Sequence, residues 1–485
     1  MGRVSRHILF VLFALGIALR VRQYAACPSY WYDEAYLLLN VFHKSFVDLL
    51  GPLREDQAAP PLFLWLLRGL YQLVGGSEWW MRLPALTASV AGLLAMAPLA
   101  RRVVGRRGWL WAVAFCALGH HAIAHAGEVK PYALDFLMTE AILLAAIHCQ
   151  LLVRKLWPRL VLCLLAILAP WASYPAVFVL GAASLSLLLH ALRHRERSLF
   201  AFWALATGLF VSSCLVLWQL AVRHQTTSTL RAFWNSSFLD LSSPIAAAAW
   251  TGRRLIEIGN YGTREMGLPL VLLAVVGAAS LRRRPARLLL LMGPLLLALL
   301  ASALRLYPLG GRLLFFLVPC LWLLAARGIG VLTRRLSVRR AWLGWVLPMT
   351  LLMPALLWTG RLLVGVTPRC QFREAFAYVE QHRAPGDVLW VSHPQVYEVY
   401  HGRAPDLSAY SPPQTVEQAA RTGRLWMVCA VAGSRQRYTA ADTVRRVKAV
   451  PCRPLSRQRF RGLQVILYAP PKEQGPFLSS AEKEE

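Results

Sequence analysis

Clusters of arginine recur between apolar blocks of this chain, and their alternation constrains the fold more than any other feature. Between Ile8 and Leu363 lie many apolar stretches long enough, or nearly so, to cross about 30 Å of hydrocarbon as helices. The spacing predicts spans at roughly 8–26, 83–100, 108–124, 132–152, 159–173, 175–192, 199–222, 267–281, 288–304, 313–326 and 342–363. The loops after the even-numbered spans are basic. They carry Arg101, Arg102, Arg106 and Arg107, then Arg154, Lys155 and Arg159, then Arg193, Arg195 and Arg197. Arg282, Arg283, Arg284 and Arg287 follow, and then Arg327, Arg334, Arg335, Arg339 and Arg340. The short loops between them are nearly free of such clusters. Positive charge stays in the cytoplasm, so the N-terminus is expected inside and the region after the last span outside. Alternating-strand patterning is missing from these stretches, which argues against a membrane β-barrel.

The net charge of +29 invites a nucleic-acid reading. The arginines sit between spans, however, and set orientation; no nucleic-acid motif accompanies them. Only 16% of residues are charged against 57% hydrophobic, whereas a soluble domain carries about 25% charge. The apolar run Ile8–Leu19 ends at Arg20 and Arg22 without a small-residue cleavage site, so it reads as an uncleaved first span. The stretch Leu62–Val74, interrupted by Arg68, is expected to lie in the interface, because a crossing there would invert every later loop.

Two outer segments, 27–82 and 223–267, interrupt the spans of a membrane domain expected over 1–365. After it the composition changes. Phe372–His382 reads as a helix, and Asp387–Val391, Arg424–Val431 and Leu463–Tyr468 read as strands. Residues 366–470 are therefore expected to form a small extracytoplasmic α/β domain, with 471–485 disordered. The fold class expected is mainly α: a polytopic transmembrane helical bundle of about 11 spans plus that domain. The cysteines show no metal-ligand spacing. If the tail is exported, Cys429 with Cys452 is the favoured disulfide.

Three segments carry side chains suited to chemistry. Asp33 and Glu34 follow the first span in SYWYDEAYLLLN, as a possible pair of working acids or as acids favoured at a helix N-terminus. HAIAHAGEVKPYALDF gathers His125, Glu128, Lys130, Tyr132 and Asp135 at the outer ends of two spans, with Pro131 suited to a first helical turn. Glu128 and Lys130 either neutralise each other or bind substrate; Asp135 lies about one turn deeper, where a carboxylate needs a partner or a role. Glu140, deeper still, is read as structural. RLYPLGGRLLFFLVP brings Tyr307, a Gly310-Gly311 pair permitting a tight turn or close approach, and Arg312. Arg312 and Arg82 each suit a phosphate or a lipid headgroup reached by snorkelling. Topology places all of these at one face, as a lipid-phosphate substrate requires.

On WYDEAYLLLN (31–40), QAAPPLFLWLLRGLYQLVGGSEWWMRLPAL (57–86), GEVKPYALDF (127–136) and YPLGGRLLFFLVP (307–319), the chain resembles glycosyltransferase family 39 over about 8–400. That family includes protein O-mannosyltransferases and the lipid A aminoarabinose transferase. The resemblance implies a GT-C fold, a polyprenyl-phosphate sugar donor, and Asp33 as catalytic base with Glu34 beside it. It departs at Ala59, where many relatives have His, and at Lys130, where many have Arg; Lys keeps the charge and loses the bidentate fork.

The reaction expected is transfer of a hexosyl or pentosyl group, with inversion, to a hydroxyl of a lipid, glycan or protein acceptor. One base suffices, because the phosphate leaves as a stable anion and needs cations rather than a proton; a glycosidase needs two carboxyl groups about 5–9.5 Å apart. Arg82, Lys130 and Arg312 are the cations, with Glu128, Tyr132, Asp135 and Tyr307 as further substrate-binding candidates. His125 and Glu128 are the candidates for a divalent metal, two ligands being too few to claim a site. Membrane lipids are the other expected partner, and a bacterial inner membrane with a periplasmic tail domain the expected location. The rival readings are a flippase of a lipid-linked precursor and a catalytically inactive envelope scaffold.

Overall fold

A computed structural model describes residues 3–105, 108–336, 343–366, 368–430 and 452–470. The chain divides into two compact units, Met1–Cys27 with Asn40–Val366, and Pro28–Leu39 with Thr367–Glu485.

The first unit is helical. Arg3–Ala25, Glu78–Val103, Tyr132–Leu151, Ala176–His194, Arg197–Gln225, Pro285–Ala303 and Gly311–Arg335 are each long and apolar enough to cross a membrane. Pro244–Thr263 and Gly267–Ala279 form an eighth candidate, bent by 101° at the break. The protein is thus a multi-pass membrane protein. Every expected span falls on a helix, but those at 108–124, 159–173, 267–281 and 342–363 fall on shorter or bent ones. The first of these ends at Leu118, because Gly119 leaves the helical conformation (φ −59°, ψ 117°) with the Trp322 ring packed against its α-carbon. Pro61–Val74 has 14 residues, about 21 Å of helix, too short to span. It buries Phe63, Leu64 and Leu67 and exposes Leu66 and Leu73.

Two features fix the packing of this bundle. A Cβ on Gly277 would lie 1.9 Å from Leu324 O, and one on Gly328 would lie 2.0 Å from Leu273 O. Helices Gly267–Ala279 and Val318–Leu336 therefore meet backbone to backbone, as small residues allow in membranes. Arg20, where the apolar run of the first span ends, is wholly buried within that helix. Its guanidinium donates to Ser89 Oγ (2.8 Å), Gly16 O (2.9 Å), Cys116 O (2.9 Å) and Ala117 O (3.3 Å). Glu140 is buried with Arg20 as its charged neighbour, the structural role expected of it.

Segment 223–267 is more ordered than an outer loop. Ser243 caps Pro244–Thr263 by accepting the Ala246 N–H, with Pro244 at the first position. Its mixed composition, with Arg253 and Arg254 mid-helix, hides it from an apolar count.

Among the described residues the second unit holds a five-stranded sheet: β1 (Val388–Val391), β2 (Leu407–Ser408), β3 (Leu425–Ala430), β4 (Arg453–Phe460) and β5 (Leu463–Ala469), in the order β2-β1-β3-β5-β4. β1 runs parallel to β2 and β3; β5 runs antiparallel to β3 and β4. The helix Phe372–His382 packs Phe372, Phe376 and Val379 against Leu389, Val391, Trp426 and Val465. The sequence reading finds the apolar strands β1, β3 and β5 and misses β4, an exposed edge whose arginines blunt further pairing. All nine cysteines are free thiols, Cys429 and Cys452 included, so the pair favoured above is not bonded. The segment 471–485, expected to be disordered, lies outside the described residues.

Candidate functional site

In the first unit, the segment before helix Tyr132–Leu151 makes a short turn, His125–Gly127, and reaches the helix through Pro131. This compression brings the candidate residues together. His125 Nδ1 lies 2.9 Å from Glu128 Oε2. Lys130 Nζ donates to Gln57 Oε1 at 3.0 Å. The Arg312 guanidinium stands 5.8 Å from the centre of the Tyr132 ring, and His125 packs 4.9 Å from the same ring. Tyr307 donates to Leu313 O at 3.2 Å. Burial, with Asp135 and Tyr132 adding to it, pushes the Tyr307 phenol well above the ordinary tyrosine range. It is therefore a neutral hydroxyl. Asp135 is buried in the first turn of its helix with the Ser173 hydroxyl beside it. Arg82 is fully buried on Glu78–Val103, which packs on the His125–Gly127 turn.

The glycine pair works in both expected ways. A Cβ on Gly310 would lie 2.5 Å from Ser237 Oγ, and Gly311 adopts φ +55°. The Gly311 N–H donates to Glu257 Oε1 at 2.7 Å, and Glu257 pairs with Arg254. Glu257, Arg254 and Tyr261, which stacks on His121 at 4.0 Å, build this corner. All three lie in the segment 223–267, which the sequence marks only as an outer segment, since no local pattern ties helix Pro244–Thr263 to the 305–312 loop. Gln225 and Tyr174 were missed for the same reason. Gln225 Oε1 accepts the Ala59 N–H at 3.1 Å, and the Tyr174 hydroxyl lies 2.8 Å from Gln225 Oε1 and 3.0 Å from Ala59 O. Ala59 thus contributes both its backbone N–H and its carbonyl here.

Asp33 and Glu34 belong to the second unit, and the other candidates to the first. They occupy the first turn of helix Tyr32–His43, where the macrodipole favours acids. Glu34 Oε2 accepts the Trp31 N–H at 3.3 Å. That is the third helical residue reaching back to the cap, half of a capping box. Glu34 is accordingly engaged with its own backbone, while Asp33, also buried, is one residue nearer the cap.

These residues do not build a three-ligand zinc site. His125 and Glu128 bond to each other, and among the described residues no three His, Cys, Asp or Glu side chains come together. A catalytic zinc takes three protein ligands.

In sequence, the chain matches no family profile and no curated protein. In structure it is similar to ArnT from Cupriavidus metallidurans bound to undecaprenyl phosphate: TM-score 0.58, 12% identity, 96% of this chain and 98% of that one covered. The apo state of ArnT gives a TM-score of 0.57 at 14% identity with the same coverage. An oligosaccharyltransferase of Archaeoglobus fulgidus, in complex with zinc and sulfate, gives 0.51 at 10% identity, covering 87% of this chain and 67% of that one.

Proposed function

Because the chain has the GT-C fold, we propose that it is a membrane glycosyltransferase that moves a sugar from a polyprenyl-phosphate donor to an acceptor hydroxyl at the outer membrane face. The observation that carries this reading is the cluster of buried Lys130, Tyr132 and Asp135 with the partly buried Tyr307 and Arg312. Cations beside phenol hydroxyls, in a site largely shielded from water, suit a phosphate at headgroup depth, because low dielectric strengthens each charge–charge contact. The resident ligand of the ArnT structure, undecaprenyl phosphate, supports the same donor class.

In the proposed reaction Asp33 takes the proton of the acceptor hydroxyl as its oxygen bonds to the anomeric carbon. The bond from that carbon to the donor phosphate breaks, and polyprenyl phosphate leaves with the electron pair. The displacement inverts the anomeric centre. Lys130, Arg82 and Arg312 stabilise the departing charge. Glu34 holds the helix start on which Asp33 sits, and Glu128 orients His125. The acceptor is an envelope lipid, glycan or protein, and the location a bacterial inner membrane.

Labelled sugar transfer from polyprenyl-phosphate donors in membranes tests this. Wild type transfers, and Asp33→Asn at equal expression loses roughly a hundredfold or more, as removal of a base does. A mutant equal to wild type removes Asp33 from the chemistry. A wild type that binds donor without transfer favours the flippase or scaffold.

A further inference from the structure

The second unit joins stretches of chain far apart in sequence, and the contacts between them concentrate just before Asp33. Ser29 Oγ donates to Cys370 O at 2.7 Å, across 341 positions. The Tyr30 N–H donates to Tyr400 Oη at 2.7 Å, and the two rings pack 5.7 Å apart. The Arg369 guanidinium stands 4.2 Å over the Trp31 ring. Tyr32 stacks on His393, with ring centres 5.2 Å apart and planes at 27°. One turn on, Ala35 is wholly buried among Phe372, Phe376 and Val391. Residues 29 to 32 are therefore each held by the tail, and Asp33 is the next residue.

His393 is a rigid partner in this set. It is buried between Tyr32 and the edge of Phe372. Its Nδ1 lies 3.0 Å from Ser392 Oγ, which also accepts the Ala430 N–H at the end of β3 at 3.1 Å. The ring is thus tied to the central sheet. Burial lowers it to about 4, so it is neutral near pH 7 and stacks without a charge to solvate.

We propose that His393 is a positioning residue for the reaction: its ring, anchored to β3, fixes Tyr32 and thereby the helix start that aims the Asp33 carboxylate. The α/β tail then serves to hold the base, though it lies at the other end of the sequence. The proposal rests on the reading of Asp33 as the base. A misplacement of about 1 Å costs on the order of a hundredfold in rate, so a stack adjacent to a base is a lever on kcat.

The test uses full-length protein in detergent with His393→Ala, His393→Phe and Tyr400→Phe. Amide hydrogen exchange is followed in 28–39, with helix Pro413–Thr422, which packs in a separate cluster of the same unit, as an internal control, and donor kinetics are measured alongside. In His393→Ala, exchange in 28–39 is expected to rise about tenfold with the control unchanged, and kcat to fall roughly tenfold or more with donor KM within about twofold. His393→Phe, which keeps the stack, restores both. If His393→Ala does not accumulate, Tyr400→Phe, which removes only the oxygen facing the Tyr30 N–H, takes its place with the same expected pattern. Unchanged exchange in 28–39, a rise shared with the control, or an unchanged kcat each overturn the proposal. A wild type without transfer, paired with faster exchange in His393→Ala, overturns the Asp33 assignment and leaves the anchoring intact.

Discussion

His393 also gives the tail domain an acid-sensitive point. Burial lowers its folded value to about 4 from 6.5. Between these values the unfolded chain binds a proton that the folded unit refuses, so stability rises with pH across this window. The contribution is complete above about pH 6.5 and is lost as the pH falls towards about 4, by as much as ~3 kcal/mol. Proteolysis of the tail, normalised to an unfolded substrate, is expected to quicken between about pH 7 and 5 in wild type and to change little in His393→Phe. Equal acid lability of the two proteins counts against His393 as the source. Asp33 and Glu34 occupy a first helical turn, where acids are favoured, and both are buried.

At the scale of elements, glycine contacts decide how the bundle closes. The backbone approach at Gly277 leaves no room for a side chain. Gly277→Val is expected to cost about 1–3 kcal/mol by overpacking, seen as a lower thermal midpoint in detergent. Gly208→Ala, in helix Arg197–Leu217 with no atom within 4 Å of the added carbon, is the control and is expected to be neutral or slightly stabilising. If both variants melt alike, the close approach is not a stability determinant. The same kind of contact explains the 101° bend: Gly259 lies under the Gly267 backbone, where a Cβ would come within 2.5 Å of Gly267 O.

For the whole molecule, the arginine alternation makes a topological prediction. A reporter phosphatase that folds only outside the cytoplasm is expected to be inactive when fused after Arg195 and active when fused after Thr422. The reverse pattern, or equal activity at both, defeats the proposed orientation and with it an outer-face reaction. The division into two units adds that the first outer segment does not fold as one piece, since Pro28–Leu39 groups with the tail and Asn40 onward with the bundle.

The sequence by itself determined the membrane class, the position of nearly every helix, and three of the five strands, because these follow from local hydropathy, arginine placement and periodicity. Helix Phe372–His382 falls at its expected bounds for that reason. The same local signals marked His125, Glu128, Lys130, Tyr132, Asp135, Tyr307 and Arg312 as residues near the outer ends of spans. What they face was decided by tertiary structure. Gln225 beneath Ala59, Glu257 on Gly311, and His393 on Tyr32 pair residues between 54 and 361 positions apart. Arg20 shows the limit most plainly: the apolar run stops at it, and the tertiary structure supplies the acceptors on Gly16, Ser89, Cys116 and Ala117 and the Glu140 neighbour that let a charge be buried within the span. Such partners carry no signature in the neighbouring sequence, because hydrogen bonds and ring contacts are set by where helices cross.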